Sequence, residues 1–359
     1  MTNQERIDRL NREKTLSRAD WEQLIGTFTD EDRAYAASLA REISLAHFSN
    51  KIYFRGIVEF TNCCKNNCLY CGIRRGNANI SRYRLTKEQI LECCAEGYAA
   101  GFRTFVLQGG EDPYFTDDRM VDIISAIRSG YPDCAITLSI GEREHESYLR
   151  MYQAGANRFL LRHETADEEH YGKLHPPELS WKHRMGCLWD LKQIGYQTGC
   201  GMMIGAPYQT VGCLAEDMIF MGKFQPEMIG MGPFIPHHDT PFRAFPAGSV
   251  ELTLMLLSLC RIILPEVLLP ATTALGTASG DGRKKGVLAG ANVIMPNLSP
   301  MSVRKNYMLY DHKAITGEDA AETLNILRAH MREIGYEMVV SRGDFSGKQP
   351  SDGKEENKE

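Results

Sequence analysis

From Tyr53 onward the chain alternates between short strand-like runs and amphipathic helical stretches, and this alternation constrains its fold more than any other feature. The predicted strands are Phe54–Thr61, Thr104–Gly109, Ala135–Ile140, Arg158–Arg162, Gln197–Ile204, Met228–Ile235, Leu268–Ala274 and Asn292–Pro296. Strands that alternate with helices indicate parallel βα units. Eight such units close into a (β/α)8 TIM barrel, an α/β fold whose functional residues collect at the C-terminal ends of the strands.

The helical stretches between these strands complete the predicted domain plan. They are Lys87–Ala100, Asp118–Arg128, Glu144–Ala154, Trp181–Ile194, Leu214–Phe224, Thr253–Leu264, the weak Arg283–Leu288 and the final Gly317–Ile334. We expect an N-terminal helical extension over residues 1–50 and the barrel over residues 51–340. Residues 346–359 are rich in Lys, Glu, Gly and Asp, a composition that predicts a disordered charged tail.

Composition narrows the class of protein. The net charge of −5 offers no broad attraction for nucleic acid or an anionic membrane. No run approaches the roughly 20 apolar residues of a membrane span, and residues 1–12 have no apolar core for a signal peptide. The 11 cysteines do not suit a secreted disulfide framework in a chain of 359 residues, so we expect a cytoplasmic protein with reduced thiols.

Three of these cysteines form the most specific motif. Cys64, Cys68 and Cys71 follow the first predicted strand with three and then two residues between them. Three thiolates can hold three irons of a [4Fe–4S] cluster and leave the fourth open, which is typical of radical S-adenosylmethionine (SAM) enzymes. Cys63 is a rival ligand with a wider spacing, and a zinc site is the alternative, but zinc usually needs a fourth ligand nearby. Tyr70 offers an aromatic face for a purine.

Two further motifs end the second and fourth predicted strands. Gly110 lies in a Gly-Gly-Glu segment where backbone groups can approach a ligand closely, the place that binds the SAM amino group in radical SAM enzymes. At the end of the fourth strand, Glu164 could accept hydrogen bonds from ribose hydroxyls and an arginine could pair with a carboxylate. Arg184, early in the following helix, is a further candidate for the SAM carboxylate. The alternative is an internal layer of salt bridges.

Later strands carry weaker signals. Met231 could contact adenine or methionine, and Thr272 and Thr273 offer hydroxyls at a barrel mouth. Paired threonines on a strand more often reflect β-propensity than ligand binding. His237 and His238 are predicted to be polar residues of the rim rather than metal ligands.

Taken in order, these segments resemble the HydE family, radical SAM maturases of [FeFe]-hydrogenase in the biotin synthase-like group. The resemblance runs from about Tyr53 to Tyr310 and rests most on Arg162–Ala166, Gly232–His237, Ala271–Ala274 and Gly290–Asn297. It implies a full barrel with one cluster and SAM at its mouth. It also implies SAM contacts and a substrate pocket. The implied SAM contacts are Tyr70, Gly110, Arg162, Glu164, Arg184 and Met231, and the implied substrate residues are Thr137, Arg158, Thr272, Thr273 and Tyr307.

The resemblance further implies a role in assembling the di-iron subcluster of the hydrogenase active site. The implied substrate is an organometallic or amino-acid-derived small molecule delivered by the companion maturase HydG, with HydF as a second companion and ferredoxin or flavodoxin as electron donor. Some members carry a second cluster on C-terminal cysteines. Here no cysteine follows Cys260, so we expect one cluster.

Three other functions remain open. Biotin synthase needs an auxiliary cluster on several strands, and although Cys134 and Cys200 lie on or beside strands, the second strand has no cysteine. Methylornithine synthase is a related enzyme, and no cysteine in this sequence distinguishes it from the maturase. A non-enzymatic carrier of an iron–sulfur cluster is the third reading.

Overall fold

Three helices precede the barrel in this computed structural model, which describes residues 1–314 and 320–347. They are α1 (Asn3–Glu13), α2 (Arg18–Thr27) and α3 (Asp30–Phe48). Side chains of Thr2, Ser17 and Thr29 accept hydrogen bonds from the first turns and so begin each helix. α2 packs on Val211–Phe224 and α3 packs on Val250–Ile263, two helices of the barrel's outer layer. The extension therefore covers one flank of the barrel.

A parallel sheet forms the centre of the molecule. The strands are β1 (Lys51–Phe54), β2 (Gly56–Thr61), β3 (Thr104–Gly109), β4 (Ala135–Ser139), β5 (Arg158–Leu160), β6 (Gln197–Cys200), β7 (Met203–Ile204), β8 (Met228–Ile229), β9 (Gly232–Pro233), β10 (Val293–Ile294) and β11 (Glu337–Val339). Six of them lie in the order β2-β3-β4-β5-β6-β8, and every neighbouring pair is parallel.

Isolated bridges close this sheet into a barrel. Met228 bridges to Leu268, Pro270 bridges to Val293, and Ile57 bridges to Asn297, all in parallel register. The ring therefore runs from β8 through residues 268–270 and β10 back to β2. The predicted (β/α)8 barrel is confirmed.

Helices cover the outside of the ring. They are α4 (Lys87–Ala99), α5 (Asp117–Gly130), α6 (His145–Gln153), α7 (Glu168–Leu174), α8 (Trp181–Ile194), α9 (Val211–Phe224), α10 (Val250–Ile263), α11 (Thr273–Ala278), α12 (Gly282–Leu288), α13 (Met301–Arg304) and α14 (Ala320–Glu333). None of the helices in the described residues is long and apolar enough to cross a membrane. Residues 317–319 of the predicted last helix and 348–359 of the predicted tail lie outside the described part of the chain.

Three predicted strands differ from the observed ones, and one of them, Met228–Ile235, is divided into β8 and β9. The run from Leu268 to Ala274 forms only bridges, because Thr272 turns to cap α11 and its side chain accepts a hydrogen bond from Leu275 N. The run from Gln197 to Ile204 splits into β6 and β7 at Gly201, where φ is +154°. A Cβ on Gly201 would lie 2.0 Å from Gly230 O, so only glycine fits this crossing.

The C-terminal segment closes the opposite end of the barrel. β11 pairs in parallel with β1, which also pairs with β10. Beyond β11, Arg342 O accepts hydrogen bonds from Thr104 Oγ1 at 2.8 Å and from Arg158 Nη2 at 2.8 Å. Asp344 forms an ion pair with Arg158 at 2.6 Å. These contacts at the N-terminal ends of β3 and β5 form the floor of the barrel.

Candidate functional site

One cavity lies at the C-terminal ends of the strands. Its volume of about 320 Å³ is within the range of small-molecule sites. It is lined by the three motif cysteines and by most residues predicted for SAM and substrate, namely Cys64, Cys68, Cys71, Tyr70, Gly110, Arg162, Glu164, Arg184, Met231, Thr272 and Tyr307. The mouth of the barrel therefore brings together side chains from segments that are far apart in sequence.

Arg82 holds the cysteine loop in shape. Its guanidinium donates to the carbonyls of Ile73 at 2.8 Å, Arg74 at 2.7 Å and Asn77 at 3.1 Å. Gly72 N donates to Leu309 O at 2.9 Å, and a Cβ on Gly72 would lie 2.2 Å from Met308 O. The loop is thus fixed by backbone contacts on both sides before any ligand binds.

The three thiols fit an iron–sulfur cluster better than a single zinc ion. Zn–S bonds of about 2.3 Å place tetrahedral thiolates roughly 3.8 Å apart. Among the described residues, only His237, His238 and Asp239 bring three ligand atoms within 4.8 Å of one another. At least one pair of the three sulfur atoms is therefore more than 4.8 Å apart, wider than tetrahedral zinc requires, while all three cysteines line the same cavity.

Burial controls the ionisation of these thiols. It raises the pKa of Cys64, raises the pKa of Cys68 further, and raises the pKa of Cys71 to about 12. A metal ligand must be the thiolate, so iron binding has to displace protons from these side chains. Cys63 does not line the cavity, and its Sγ faces Tyr83 O at 3.9 Å. This placement favours Cys64 over Cys63 as the first ligand.

Glu164 adopts a backbone conformation that non-glycine residues rarely occupy. Its φ is +65°, and its N–H donates to Gly201 O at 3.0 Å. The buried carboxylate accepts a hydrogen bond from Arg162 Nη2 at 2.8 Å. Conformations of this kind cost on the order of 1–3 kcal/mol and cluster at functional sites. The strain turns the carboxylate into the cavity, where a ligand hydroxyl can reach it.

Arg162 carries an unsatisfied donor at the same cavity. Its Nε is buried and has no hydrogen-bond partner within the protein. Unpaired buried donors are costly and usually have a ligand or water partner. Arg162 is therefore the arginine with spare capacity for a carboxylate.

Arg184 has less capacity, because Glu142 pairs closely with its Nε. Arg184 Nη1 also donates to Arg162 O at 3.1 Å. Although burial opposes the charge, Glu142 and other anionic neighbours hold the pKa of Arg184 well above its usual value. Arg184 thus lines the cavity as a charged side chain that supports the backbone of Arg162.

His163 and Asp217 clamp the backbone around Glu164, and sequence reasoning assigned them no role. His163 Nδ1 accepts from Gly201 N at 3.1 Å, so Nε2 carries the proton and donates to Asp217 Oδ1 at 3.2 Å. Asp217 Oδ1 also accepts from Ala166 N at 2.5 Å. His163 belongs to the Arg-His-Glu-Thr motif and could have been found there. Asp217 lies on α9, about fifty residues later, with no local signal.

Tyr70 meets a histidine that the sequence analysis missed. His175 Nδ1–H donates to Tyr171 O at 3.0 Å, which leaves Nε2 to accept from the Tyr70 hydroxyl at 3.3 Å. Burial, reinforced by the Arg184 cation, lowers the pKa of His175 to about 4. A neutral His175 therefore orients the Tyr70 ring at the cavity wall.

Gly110 and Met231 complete the predicted SAM contacts. A Cβ on Gly110 would lie 2.3 Å from Cys63 O and 2.7 Å from Cys64 Cβ. Only glycine can thus bring this strand end against the cysteine loop. Met231 is buried and lines the same cavity.

Three predicted substrate residues are not at this cavity. Arg158 lies at the floor, where Asp344, Arg342 O and Thr104 occupy its donors. Thr137 is buried beside it in register, and its hydroxyl has no partner within the protein. Thr273 lines a separate cavity of about 40 Å³ with Glu59 and Lys313. The expectation that Thr137, Arg158 and Thr273 converge with Thr272 at one pocket is wrong, while Thr272 and Tyr307 do line the cavity.

The cysteines considered for an auxiliary cluster lie away from the cavity. Cys134 and Cys200 are both fully buried, and neither lines the cavity. Their burial raises the pKa of Cys134 to about 11 and that of Cys200 well above its usual value. They behave as small apolar packing residues.

Comparison with known proteins identifies the class to which this site belongs. Residues 58–221 match the Radical SAM superfamily. The chain is 42% identical over 316 residues to the [FeFe] hydrogenase maturase subunit HydE of Thermotoga maritima, covering 87% of this chain and 89% of that protein. It is 30% identical over 299 residues to 3-methylornithine synthase of Methanosarcina acetivorans, covering 81% and 83%. The crystal structure of methylornithine synthase PylB superposes with a TM-score of 0.82 at 27% identity, covering 93% and 97%.

The barrel, the cysteine motif and these matches define a radical SAM enzyme, with a [4Fe–4S] cluster and SAM as its cofactors. Within that superfamily, the chain belongs to the HydE family.

Proposed function

We propose that this enzyme acts in the assembly of the di-iron active-site subcluster of [FeFe]-hydrogenase. The observation that carries the proposal is its 42% identity, over nearly the full length of both chains, to a protein named as a subunit of that maturation system. The cavity supports the proposal because it combines a cysteine triplet with polar groups beyond those needed for SAM, including Thr272 and Tyr307.

In this proposal Cys64, Cys68 and Cys71 hold the cluster. A cluster bound there, together with SAM, supplies the reductive cleavage that generates an organic radical. The protein's part is to bind and orient SAM, and we assign this to residues on four strand ends and one helix. They are Tyr70, Gly110, Arg162, Glu164, Arg184 and Met231. Arg162, with its unpaired Nε, binds the carboxylate, and Glu164 accepts from the ribose hydroxyls.

The proposed substrate is an organometallic or amino-acid-derived small molecule held by Thr272 and Tyr307. HydG and HydF are the proposed companion maturases, and a ferredoxin or flavodoxin is the proposed electron donor. The proposed location is the cytoplasm, because a chain with 11 cysteines that include a cluster motif suits a compartment where thiols stay reduced.

Complementation tests the proposal. A host that makes [FeFe]-hydrogenase but lacks its own HydE should regain hydrogenase activity when this chain is expressed. Cys64→Ala, Cys68→Ala and Cys71→Ala should each fail, while Cys63→Ala should succeed. The purified protein should bind about four irons per chain and form 5′-deoxyadenosine from SAM. SAM cleavage without any recovery of hydrogenase would reject the maturation role but keep the enzyme class.

A second candidate is a 3-methylornithine synthase. The favouring observations are the 30% identity over 299 residues and the TM-score of 0.82 to that class of enzyme. Mass spectrometry for 3-methylornithine in cells that express the chain separates the two candidates. Accumulation of that amino acid together with failed complementation would favour the synthase.

A further inference from the structure

The segment that carries the cysteines is strongly cationic in a chain that is acidic overall. Residues 60–87 contain no Asp or Glu, whereas the whole chain has a net charge of −5. The cations of this segment are Lys65, Arg74, Arg75, Arg82, Arg84 and Lys87. Chance spacing of 46 acidic residues along 359 positions would place several in such a stretch.

Three of these cations have exposed side chains, and the counter-charges of two of them are buried. The exposed fraction of the side chain is 55% for Lys65 and 43% for Arg84, against 9% for Glu111 and 2% for Asp112, their respective partners. Arg75 is 62% exposed, and its exposed partner Glu178 is 3.6 Å away. These three cations are more exposed than the buried carboxylates of Glu111 and Asp112, and we name the surface of Lys65, Arg75 and Arg84 the cationic face.

Two residues of the cationic face, Lys65 and Arg75, are close to the cysteines along the chain. Lys65 follows Cys64 in the chain, at a Cα separation of about 3.8 Å. Arg75 is four residues beyond Cys71, so their Cα atoms are at most about 14 Å apart. The three cysteines line the cavity, whereas Lys65, Arg75 and Arg84 do not. Arg75 N donates to Asn66 O at 2.8 Å, which keeps Arg75 beside the start of the cysteine loop. A partner protein bound to these cations would therefore lie close to the cysteines without entering the cavity.

We propose that the cationic face is the docking surface for a small acidic one-electron carrier protein. The inference rests on the proposed radical SAM function, which needs one electron for each SAM cleaved. In the docked pair the carrier loses one electron and the cluster gains it, with no bond formed or broken in that transfer. Charge complementarity raises the rate of such encounters and makes them sensitive to ionic strength.

The test compares a protein reductant with a small one. Reduced flavodoxin, an acidic carrier, and dithionite each drive 5′-deoxyadenosine formation by the reconstituted enzyme, in wild type and in the double variant Lys65→Gln/Arg75→Glu. Lys223→Glu, at an exposed cation on α9, is the matched control. At low salt the flavodoxin-driven rate of the double variant should fall at least about tenfold, with the dithionite-driven rate and the Lys223→Glu rates unchanged. The wild-type flavodoxin rate should also fall as salt rises from about 0.05 to 0.5 M. Binding of flavodoxin to the cluster-free protein, measured by calorimetry at low salt, should weaken at least about tenfold in the double variant and stay unchanged in Lys223→Glu.

The decisive quantity is the ratio of the flavodoxin-driven to the dithionite-driven rate, because it cancels any loss of cluster in the variant. A tenfold lower ratio supports the docking surface even if both rates fall. An unchanged ratio at low salt overturns it, as does a wild-type enzyme that responds to dithionite but never to flavodoxin. A wild-type enzyme that cleaves no SAM with dithionite rejects the radical SAM function itself.

Discussion

Glu164 combines a left-handed backbone conformation with a carboxylate that lines the cavity. Its left-handed φ is maintained by the hydrogen bond to Gly201 O and by the bridge between Glu164 and Met202. Backbone contacts with the neighbouring strand hold this conformation, and the Glu164 carboxylate does not contribute to them. The carboxylate can therefore be changed without altering the conformation that presents it.

We expect Glu164→Gln to weaken SAM binding by about tenfold, because the amide retains only one acceptor oxygen and loses the charge that pairs with Arg162. Cluster content should stay at about four irons per chain. Equilibrium SAM binding and iron analysis measure the two quantities. Equal SAM affinity in variant and wild type would contradict the assignment of Glu164.

His175 should make folding sensitive to mild acid. Its pKa is about 4 in the folded chain and about 6.5 when unfolded, so between these values the unfolded state binds more protons. Stability is then full above pH 6.5 and is lost as the pH falls towards 4, by about 3 kcal/mol from this residue. Urea unfolding of the apo protein at both pH values should show that His175→Gln loses less stability than wild type. A parallel loss in both proteins would exclude His175 as the source.

Among the elements, α9 acts on the site from outside the barrel. It supplies Asp217, which reaches both His163 and Ala166 N and so holds the chain on either side of Glu164. Asp217 touches no ligand in this arrangement. It is a positioning residue that works through His163.

We expect Asp217→Ala to raise the Kd for SAM by about tenfold, since Glu164 loses its support, while the rate at saturating SAM changes little. Asp217→Asn keeps an acceptor for His163 and Ala166 N and should retain most of the affinity. A general loss of fold would lower the rate at saturating SAM as well. Identical behaviour of the Ala and Asn variants would remove the hydrogen-bonding explanation.

The N-cap residue of α11, Thr272, also lines the cavity. Thr272→Val removes the hydroxyl that caps the helix and lines the site, so hydrogenase maturation should fall while SAM cleavage continues uncoupled. Thr272→Ser keeps the hydroxyl and should retain function. Thr273→Val is the neighbouring control, because Thr273 lines the separate small cavity. Maturation at the wild-type level in Thr272→Val would place the substrate site elsewhere.

At the scale of the whole molecule, the two ends of the barrel have separate tasks. The mouth holds the cavity and the cysteine loop, and the floor is sealed by β11 and residues 342–344. Arg158, which is fully buried, depends on that seal for its charge partner. Stability and SAM chemistry can therefore be perturbed independently.

Asp344→Ala should destabilise the fold by on the order of 2 kcal/mol, because it leaves Arg158 buried without its partner. The cost is smaller than for a fully enclosed pair, since Asp344 is 36% exposed. Chemical unfolding measures the loss, and the Kd for SAM at a temperature where the variant is folded should match wild type. A changed SAM affinity with unchanged stability would contradict this division between floor and mouth.

The sequence was sufficient to predict the barrel and the cysteine loop, because strand periodicity and cysteine spacing are local properties. The sequence did not show which residues of a strand lie at the mouth of the barrel and which lie at its floor. Arg158 and Arg162 are four residues apart, which is about 13 Å at 3.3 Å per residue, so they could not both face the mouth. Thr273 was misplaced because the chain leaves the strand path at Thr272. Asp217 and His175 were missed because their partners are set by tertiary packing rather than by any nearby motif.

The bond between Arg158 and Asp344 spans 186 residues of chain. At a translation rate of about 5–20 residues per second, the ribosome makes Asp344 roughly 10–40 s after Arg158. For that interval the nascent barrel contains a cation whose counter-ion does not yet exist. The interior is thus completed by a segment made long after the cysteine loop, and a chain terminated before residue 342 would carry every cysteine of the motif in a barrel left open at its base.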